Sequence, residues 1–385
     1  MSGSIDPHAA ASPADSLPAP ATPRASLADQ PPPTEYRAAP SHQLLEVRGL
    51  HVWFELRGGG ELHAVRGVDL DLRRGERLGL VGESGCGKST ALLALMGLLP
   101  ASASVAGEVI LDGRDIMAQG ERSIRPHRWR EVAMVFQGAM NAFNPVRTIG
   151  WQIAEPLRRH RSLSRAAARA RVLELLELVG IPAGRAERYP HELSGGMRQR
   201  AAIAMALACD PKLLLADEPT TALDVMVQAQ VLELLVSLSE ELGLALVLVS
   251  HDLPAVTQVA ERVAVMYAGE VVECAFTGEL FDTPRHPYTA ALVAATPDLL
   301  QATPLSSIPG APPSLRSQLQ GCAFAPRCGQ RMQICERHPP TLAADADGRL
   351  FACHLNGGSP HHTLPPAPGG QAAVDSGTQD TERRS

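Results

Sequence analysis

The run Gly82–Thr90, GESGCGKST, constrains this 385-residue chain more than any other feature. Its glycines permit backbone turns that side chains resist. An apolar segment, RLGLVG, leads into it and reads as a buried strand; KSTALLALMGLL follows and reads as a helix. A strand, a glycine-rich turn and a helix start make an anion cradle, because N–H groups turn inward and the helix dipole adds positive potential. Gly82-x4-Gly87-Lys88-Ser89 is the P-loop pattern in the context that motif demands. Glu83, Ser84, Gly85, Cys86 and Thr90 complete the expected phosphate-binding run. In such a loop Lys88 meets the β- and γ-phosphates, and Ser89 offers a hydroxyl to Mg²⁺.

Two further strands end in chemistry. KLLLADEP and LALVLVSHD are continuous apolar runs tipped by acids or histidine. Strands alternating with helical segments, such as ARARVLELLELVGI with Ser164 as its cap, predict an α/β fold with a mostly parallel sheet. Ligands of such sheets bind beyond the carboxyl ends of the strands. Asp217 is therefore placed for the Mg²⁺ shell, and Glu218 for polarising a water in line with the γ-phosphate. LLEVRGLHVWFEL, near the start of the core, alternates as a half-buried strand does.

ELSGGMRQR, residues 192–200, adds a second anion-binding helix start. One chain rarely needs two phosphate grips for one nucleotide. With Leu193-Ser194-Gly195-Gly196-Met197-x-Gln199, the chain resembles the ATP-binding subunits of ABC transporters over residues 44–275. The resemblance implies a P-loop ABC ATPase with an antiparallel β subdomain and an inserted helical subdomain. It also implies that Ser194, Gly195, Gly196 and Gln199 cap nucleotide held by a partner subunit. By the same resemblance Gln137 of MVFQ contacts Mg²⁺, the attacking water and the membrane subunit. Asp224 of TALD belongs to the loop crossing the dimer interface, and His251 contacts the γ-phosphate. Phe54 holds the position that stacks on adenine; its neighbour Trp53 is the alternative, since alternation leaves one of them facing the pocket.

Downstream, RHPYTAALVAATP resembles the C-terminal extension of ATPases that drive oligopeptide, dipeptide and nickel importers. FQGAMNAFNP resembles their Asn-Pro loop, with Gly138 where an acidic residue is usual and Asn141 near the usual serine. Four cysteines, Cys322, Cys328, Cys335 and Cys353, follow with five, six and seventeen residues between them. A reducing compartment disfavours disulfides, and the short knuckle of structural zinc is absent. Thiolates at irregular spacing suit an iron–sulfur cluster. The extension's family carries such a motif, begun by C-x-F-x-x-R-C, which Cys322, Phe324, Arg327 and Cys328 match. A [4Fe–4S] cluster, zinc or no metal stay open on these residues. Cys86, Cys209 and Cys274 read as small apolar fillers, and His338 and His354 as surface histidines.

The expected organisation is a disordered tail at 1–42, the ATPase at 43–275 with its helical subdomain at 139–210, the extension at 276–356, and a disordered tail at 357–385. A net charge of −6 argues against nucleic acid as a partner. No run reads as a membrane span or a secretory signal, so the expected place is the cytoplasmic face of the membrane, held peripherally. The resemblance implies ATP and Mg²⁺ as cofactors. It implies as partners a second ATPase, expected as a heterodimer, two permeases and, indirectly, an extracytoplasmic binding protein. Peptides are the expected cargo, with nickel or another small solute, or a soluble non-transport ABC ATPase, as the alternatives.

Overall fold

The computed structural model describes residues 43–139, 142–296, 308–316 and 319–356. Both expected tails and Asn141 of the Asn-Pro loop lie outside the described residues. The chain opens with β1 (Gln43–Glu55) and β2 (Glu61–Arg73), which pair antiparallel. Then come β3 (Arg77–Val81), α1 (Lys88–Leu95), β4 (Ala103–Leu111), β5 (Arg114–Asp115), α2 (Glu121–Ile124) and β6 (Val132–Val135). Three helices, α3 (Ile149–His160), α4 (Arg165–Leu178) and α5 (Gly195–Ala206), separate β6 from β7 (Leu213–Asp217). Next are α6 (Val225–Leu242), β8 (Ala245–Val249), α7 (Leu253–Val259), β9 (Arg262–Tyr267) and β10 (Glu270–Phe276). The C-terminal part holds α8 (Thr277–Asp282), α9 (Pro287–Ala294), α10 (Gln333–Arg337), β11 (Ala343–Ala344) and β12 (Leu350–Phe351).

The strands form two sheets. One is antiparallel, in the order β2-β1-β4-β5; the other runs β11-β12-β10-β9-β3-β8-β7-β6. Within the second, β9, β3, β8, β7 and β6 are parallel, and β10, β12 and β11 extend it antiparallel at one side. The apolar runs of β7 and β8 are continuous because both faces are covered. Leu213 and Leu215, with Val247 and Val249, pack toward α1 and the antiparallel sheet. Leu214 and Ala216, with Leu246 and Leu248, pack toward the helices between β6 and β9. One-residue alternation thus feeds two cores.

β1 does not show the clean half-buried pattern its sequence predicts. It lies between β2 and β4, its register shifts near Leu50 and His51, and Val52 and Trp53 are both buried. Ser164 caps α4 as expected, accepting from the Ala167 N–H at 3.2 Å. Val172, Leu175 and Leu176 are the helix's buried stripe. Arg262 ties the layers together. Its guanidinium donates to Glu76 at 2.9 Å and to both carboxylate oxygens of Asp71 at 3.1 Å.

The C-terminal part continues the ATPase sheet, since β12 pairs with β10 at Phe351 opposite Glu273. No helix among the described residues is long and apolar enough to cross a membrane.

Candidate active site

The sheet order alone gathers the chemistry. β3, β8, β7 and β6 are parallel neighbours. Their carboxyl ends therefore sit side by side, and each is followed by a residue singled out above. Gly82 begins the loop after β3, His251 follows β8, Glu218 follows β7 and Gln137 follows β6.

α1 starts at Lys88. Its cap, Gly87, has φ 108° and no side-chain cap bond, so the first N–H groups of the helix face the loop rather than a capping oxygen. A side chain at Gly87 would also strike the Ala64 carbonyl at 2.6 Å, so glycine is required on two grounds. Lys88 is buried and folds back over the loop, donating to the carbonyls of Gly82 at 2.7 Å and Glu83 at 3.1 Å. Cys86 is buried, and burial pushes its thiol pKa up even though Lys88 opposes the shift. Glu83 turns away from the cradle: its N–H donates to the Tyr288 hydroxyl and its carboxylate meets Arg327.

Ser89 and Asp217, both expected at Mg²⁺, touch: the Ser89 hydroxyl donates to Asp217 Oδ1 at 3.0 Å. Burial raises the Asp217 pKa, with the Glu218 charge adding and Ser89 and Lys88 opposing. Gln137 Nε2 donates to Glu218 Oε2 at 2.8 Å, and His251 Nδ1 lies 3.0 Å from Oε1. Thr221 also donates to Oε2, at 2.9 Å. Burial pushes the Glu218 carboxyl up, but the bonds from His251 and Thr221 and the nearby positive charges outweigh it, so its pKa lies below the ordinary value. Glu218 holds a left-handed backbone, φ 44°, at the sharp turn after β7. Sequence reasoning passed over Thr221, whose only signal is its place three residues after the glutamate.

The second helix start stands apart. Ser194 is exposed and caps α5, accepting from the Met197 N–H at 3.3 Å. No hydrogen bond among the described residues links Ser194, Gly195 or Gly196 to the loop at 82–90. A side chain at Gly196 would meet Val227 of α6 at 2.5 Å. Gln199, in the first turns of α5, is buried, and its Nε2 has no partner among the described residues. It sits about one turn along α5 from Gly195, roughly 6 Å further from the exposed helix start. Asp224 is exposed and caps α6 through the Val227 N–H at 3.0 Å. Beside it Val225 and Met226 stand 81% and 72% exposed, unusual for apolar residues at a helix start.

Of the two residues expected at adenine, Trp53 is closed off. It is buried, stacked on His63 with centroids 4.7 Å apart and on His51 at 5.2 Å. Phe54 points to the opposite face and is half-buried.

The four cysteines of the C-terminal part border one cavity of about 20 Å³, shared with His286 and His354. That is room for about one water-sized group. Burial pushes the Cys322 thiol up to about 11, with Cys335 and Cys353 adding to the shift. Among the described residues no group of three or more His, Cys, Asp or Glu is arranged to hold a metal ion. The donor chemistry fits a thiolate-bound centre; an assembled centre is not what these side chains form. His354 corrects an expectation: it is buried, with Nε2 2.8 Å from the His338 carbonyl, whereas His338 is exposed. Cys86, Cys209 and Cys274 are all buried and free, as fillers should be.

A phosphate cradle in one place and a serine-glycine helix start in another define the ATP-binding cassette class of P-loop ATPases. The fold agrees: the dimeric ATP-binding cassette MJ0796 bound to ADP and Pi superposes with a TM-score of 0.55 at 30% identity, covering 61% of this chain and 99% of that one. The family described as ABC transporter matches residues 65–221, and the oligopeptide/dipeptide transporter C-terminal region matches residues 272–335. The dipeptide transport ATP-binding protein DppD of Bacillus subtilis is 45% identical over 84% of this chain and 97% of its own length. The oligopeptide transport ATP-binding protein OppD of Salmonella typhimurium is 44% identical over 82% and 94%. The chain belongs to the ABC transporter family, in the group that carries the oligopeptide/dipeptide C-terminal region, and is an ATPase.

Proposed function

We propose that this chain is the ATP-hydrolysing subunit of an importer that takes up di- or oligopeptides across the cytoplasmic membrane. Relatives that match 77–84% of this chain are named for dipeptide and oligopeptide transport. The observation that carries the mechanism is the separation of two anion grips. Lys88, Ser89, Asp217, Glu218, Gln137 and His251 converge at four strand ends, while the exposed Ser194 turn has no bond to them.

In this reading Ser194, Gly195 and Gly196 close over nucleotide held by a partner's P-loop. The exposed Val225 and Met226, beside Asp224, are apolar surface of the sort a partner ATPase covers. Phe54 stacks on adenine. Ser89 and Asp217 hold Mg²⁺, with Gln137 reaching it and the attacking water. Glu218 takes the proton from that water, and His251 orients the carboxylate and meets the γ-phosphate. Phosphoryl transfer needs positioning and charge neutralisation more than covalent help from the protein. Closing two ATPase subunits, expected as a heterodimer, would move two permeases. An extracytoplasmic binding protein would deliver the cargo. The ATPase then lies peripherally on the cytoplasmic face, with residues 43–275 as the motor, 139–210 as its helical subdomain and 276–356 as the extension.

The test is reconstitution of the full assembly in liposomes. Peptide-loaded binding protein should stimulate ATP hydrolysis and drive peptide accumulation. Stimulation by nickel-loaded protein alone would replace peptide with nickel, and hydrolysis indifferent to any permease would overturn the importer reading.

Cys322, Cys328, Cys335 and Cys353 are the residues that would hold a [4Fe–4S] cluster, with zinc as the alternative. When bound, such a centre would cross-link a segment with little apolar core. The support is that all four border one cavity. Metal and sulfide analysis of anaerobically purified protein should find iron and acid-labile sulfide, lost together in Cys335→Ser. Zinc without iron would assign the alternative, and neither element would overturn the proposal.

A further inference from the structure

The P-loop is gripped from outside by the C-terminal part of the chain. Three groups of Glu83, the residue after Gly82, are held at once. Its N–H donates to the Tyr288 hydroxyl at 2.9 Å, and its carbonyl accepts from Lys88 at 3.1 Å. Its carboxylate accepts two bonds from Arg327, Nη1 to Oε2 at 2.6 Å and Nη2 to Oε1 at 2.9 Å. This fork-on-fork geometry fixes direction as well as distance.

Arg327 is itself immobilised. Its side chain is 4% exposed. Its Nε donates to the Pro309 carbonyl at 2.8 Å, and Nη1 also donates to the Tyr267 hydroxyl at 3.3 Å. The guanidinium lies 5.8 Å from the Tyr267 ring centre and 6.0 Å from that of Phe324. Tyr267, Tyr288 and Phe324 pack as one aromatic group, with centroids 4.5 to 5.4 Å apart. A clamp so braced transmits position, because neither end has slack.

The loop needs such an anchor. Gly85 and Gly87 have positive φ, and a side chain at Gly85 would meet open space. An unpacked glycine such as Gly85 leaves its part of the loop free to wander, and a phosphate cradle works only when its N–H groups converge. We propose that Arg327 is a positioning residue for nucleotide binding: its bidentate bond to Glu83 holds the P-loop in the shape that receives the phosphates. Arg327 touches no nucleotide. It acts through Glu83, and Tyr288 assists by fixing the same residue's backbone. The inference rests on the P-loop being the ATP site.

The experiment uses the full chain in its complex, measuring ATP KM and kcat with thermal melts alongside. Arg327→Ala and Glu83→Gln should each raise KM about tenfold, the scale of a lost charge-assisted pair. The kcat should stay within about threefold, since the groups around Glu218 are untouched. The double variant should be no worse than either single, the signature of two residues acting as one unit. Arg327→Lys, which keeps charge but loses the fork, should still raise KM. An unchanged KM in Arg327→Ala, or a double effect equal to the product of the singles, overturns the proposal. A KM that falls in Glu83→Gln also overturns it, because Arg327 would then only mask a repulsive charge. If Arg327→Ala fails to fold, Glu83→Gln decides alone, since it severs the clamp from the other end. Lys88→Ala separates the two failures. Normal turnover there means the P-loop reading has fallen, whereas lost turnover there with normal KM in Arg327→Ala means only the clamp has.

Discussion

Glu218→Gln should cut ATP turnover by about a thousandfold, within the range general-base catalysis supplies, while ATP still binds. The substitution keeps size and hydrogen-bonding reach but removes the oxygen that takes a proton. Both carboxylate oxygens are engaged, by Gln137 and Thr221 on one side and His251 on the other. Burial pushes the carboxyl up, but the bonds from His251 and Thr221 and the charges of His251 and Lys88 hold it below its ordinary pKa. The sign follows: Glu218 is ionised throughout neutral pH, and activity is lost on the acid side only as pH falls through that lowered value. Because hydrolysis is what would reopen the closed pair, the variant should also accumulate an ATP-bound dimer, read by size-exclusion chromatography with light scattering. Turnover within threefold of the parent would remove Glu218 from the base role, and a monomeric trapped species would count against the shared site.

Lys88→Ala should weaken ATP binding by about a hundredfold, on the scale of two lost charge-assisted contacts. The ammonium is buried and held by the carbonyls of Gly82 and Glu83. Those carbonyls give way readily to phosphate oxygens, which are stronger acceptors and carry charge. Equilibrium titration with a fluorescent nucleotide checks it, and binding within a few-fold of the parent would separate Lys88 from the phosphates. ATPase assays should show a parallel loss, so affinity and turnover fall together here, whereas Glu218→Gln splits them.

Much of this site was legible because local pattern and topology agree. A glycine turn between a buried strand and a helix has few uses, and parallel strands bring their carboxyl ends together without further instruction. That is why residues from Gly82 to His251, far apart in the chain, could be named before any contact was known. What local pattern could not reveal shares a cause. Gln199 sits in the signature run, and nothing local shows that it is buried. Trp53 and Phe54 alternate, but only the packing of His51 and His63 reveals which face is closed. His354 looks like a surface residue until the His338 carbonyl is seen against it. Arg327 matched a cysteine motif and Tyr288 a proline turn; nothing local tells that both end at Glu83. Long-range pairing of single side chains leaves no periodic trace in a sequence.

That pairing has a bearing on biogenesis. Arg327 and Glu83 are 244 residues apart. At ordinary elongation speeds the ribosome delivers the arginine on the order of ten to fifty seconds after the glutamate. By the end of that interval the nascent polypeptide displays its catalytic motifs but still lacks its latch, so competence for ATP waits on a residue made well after the P-loop.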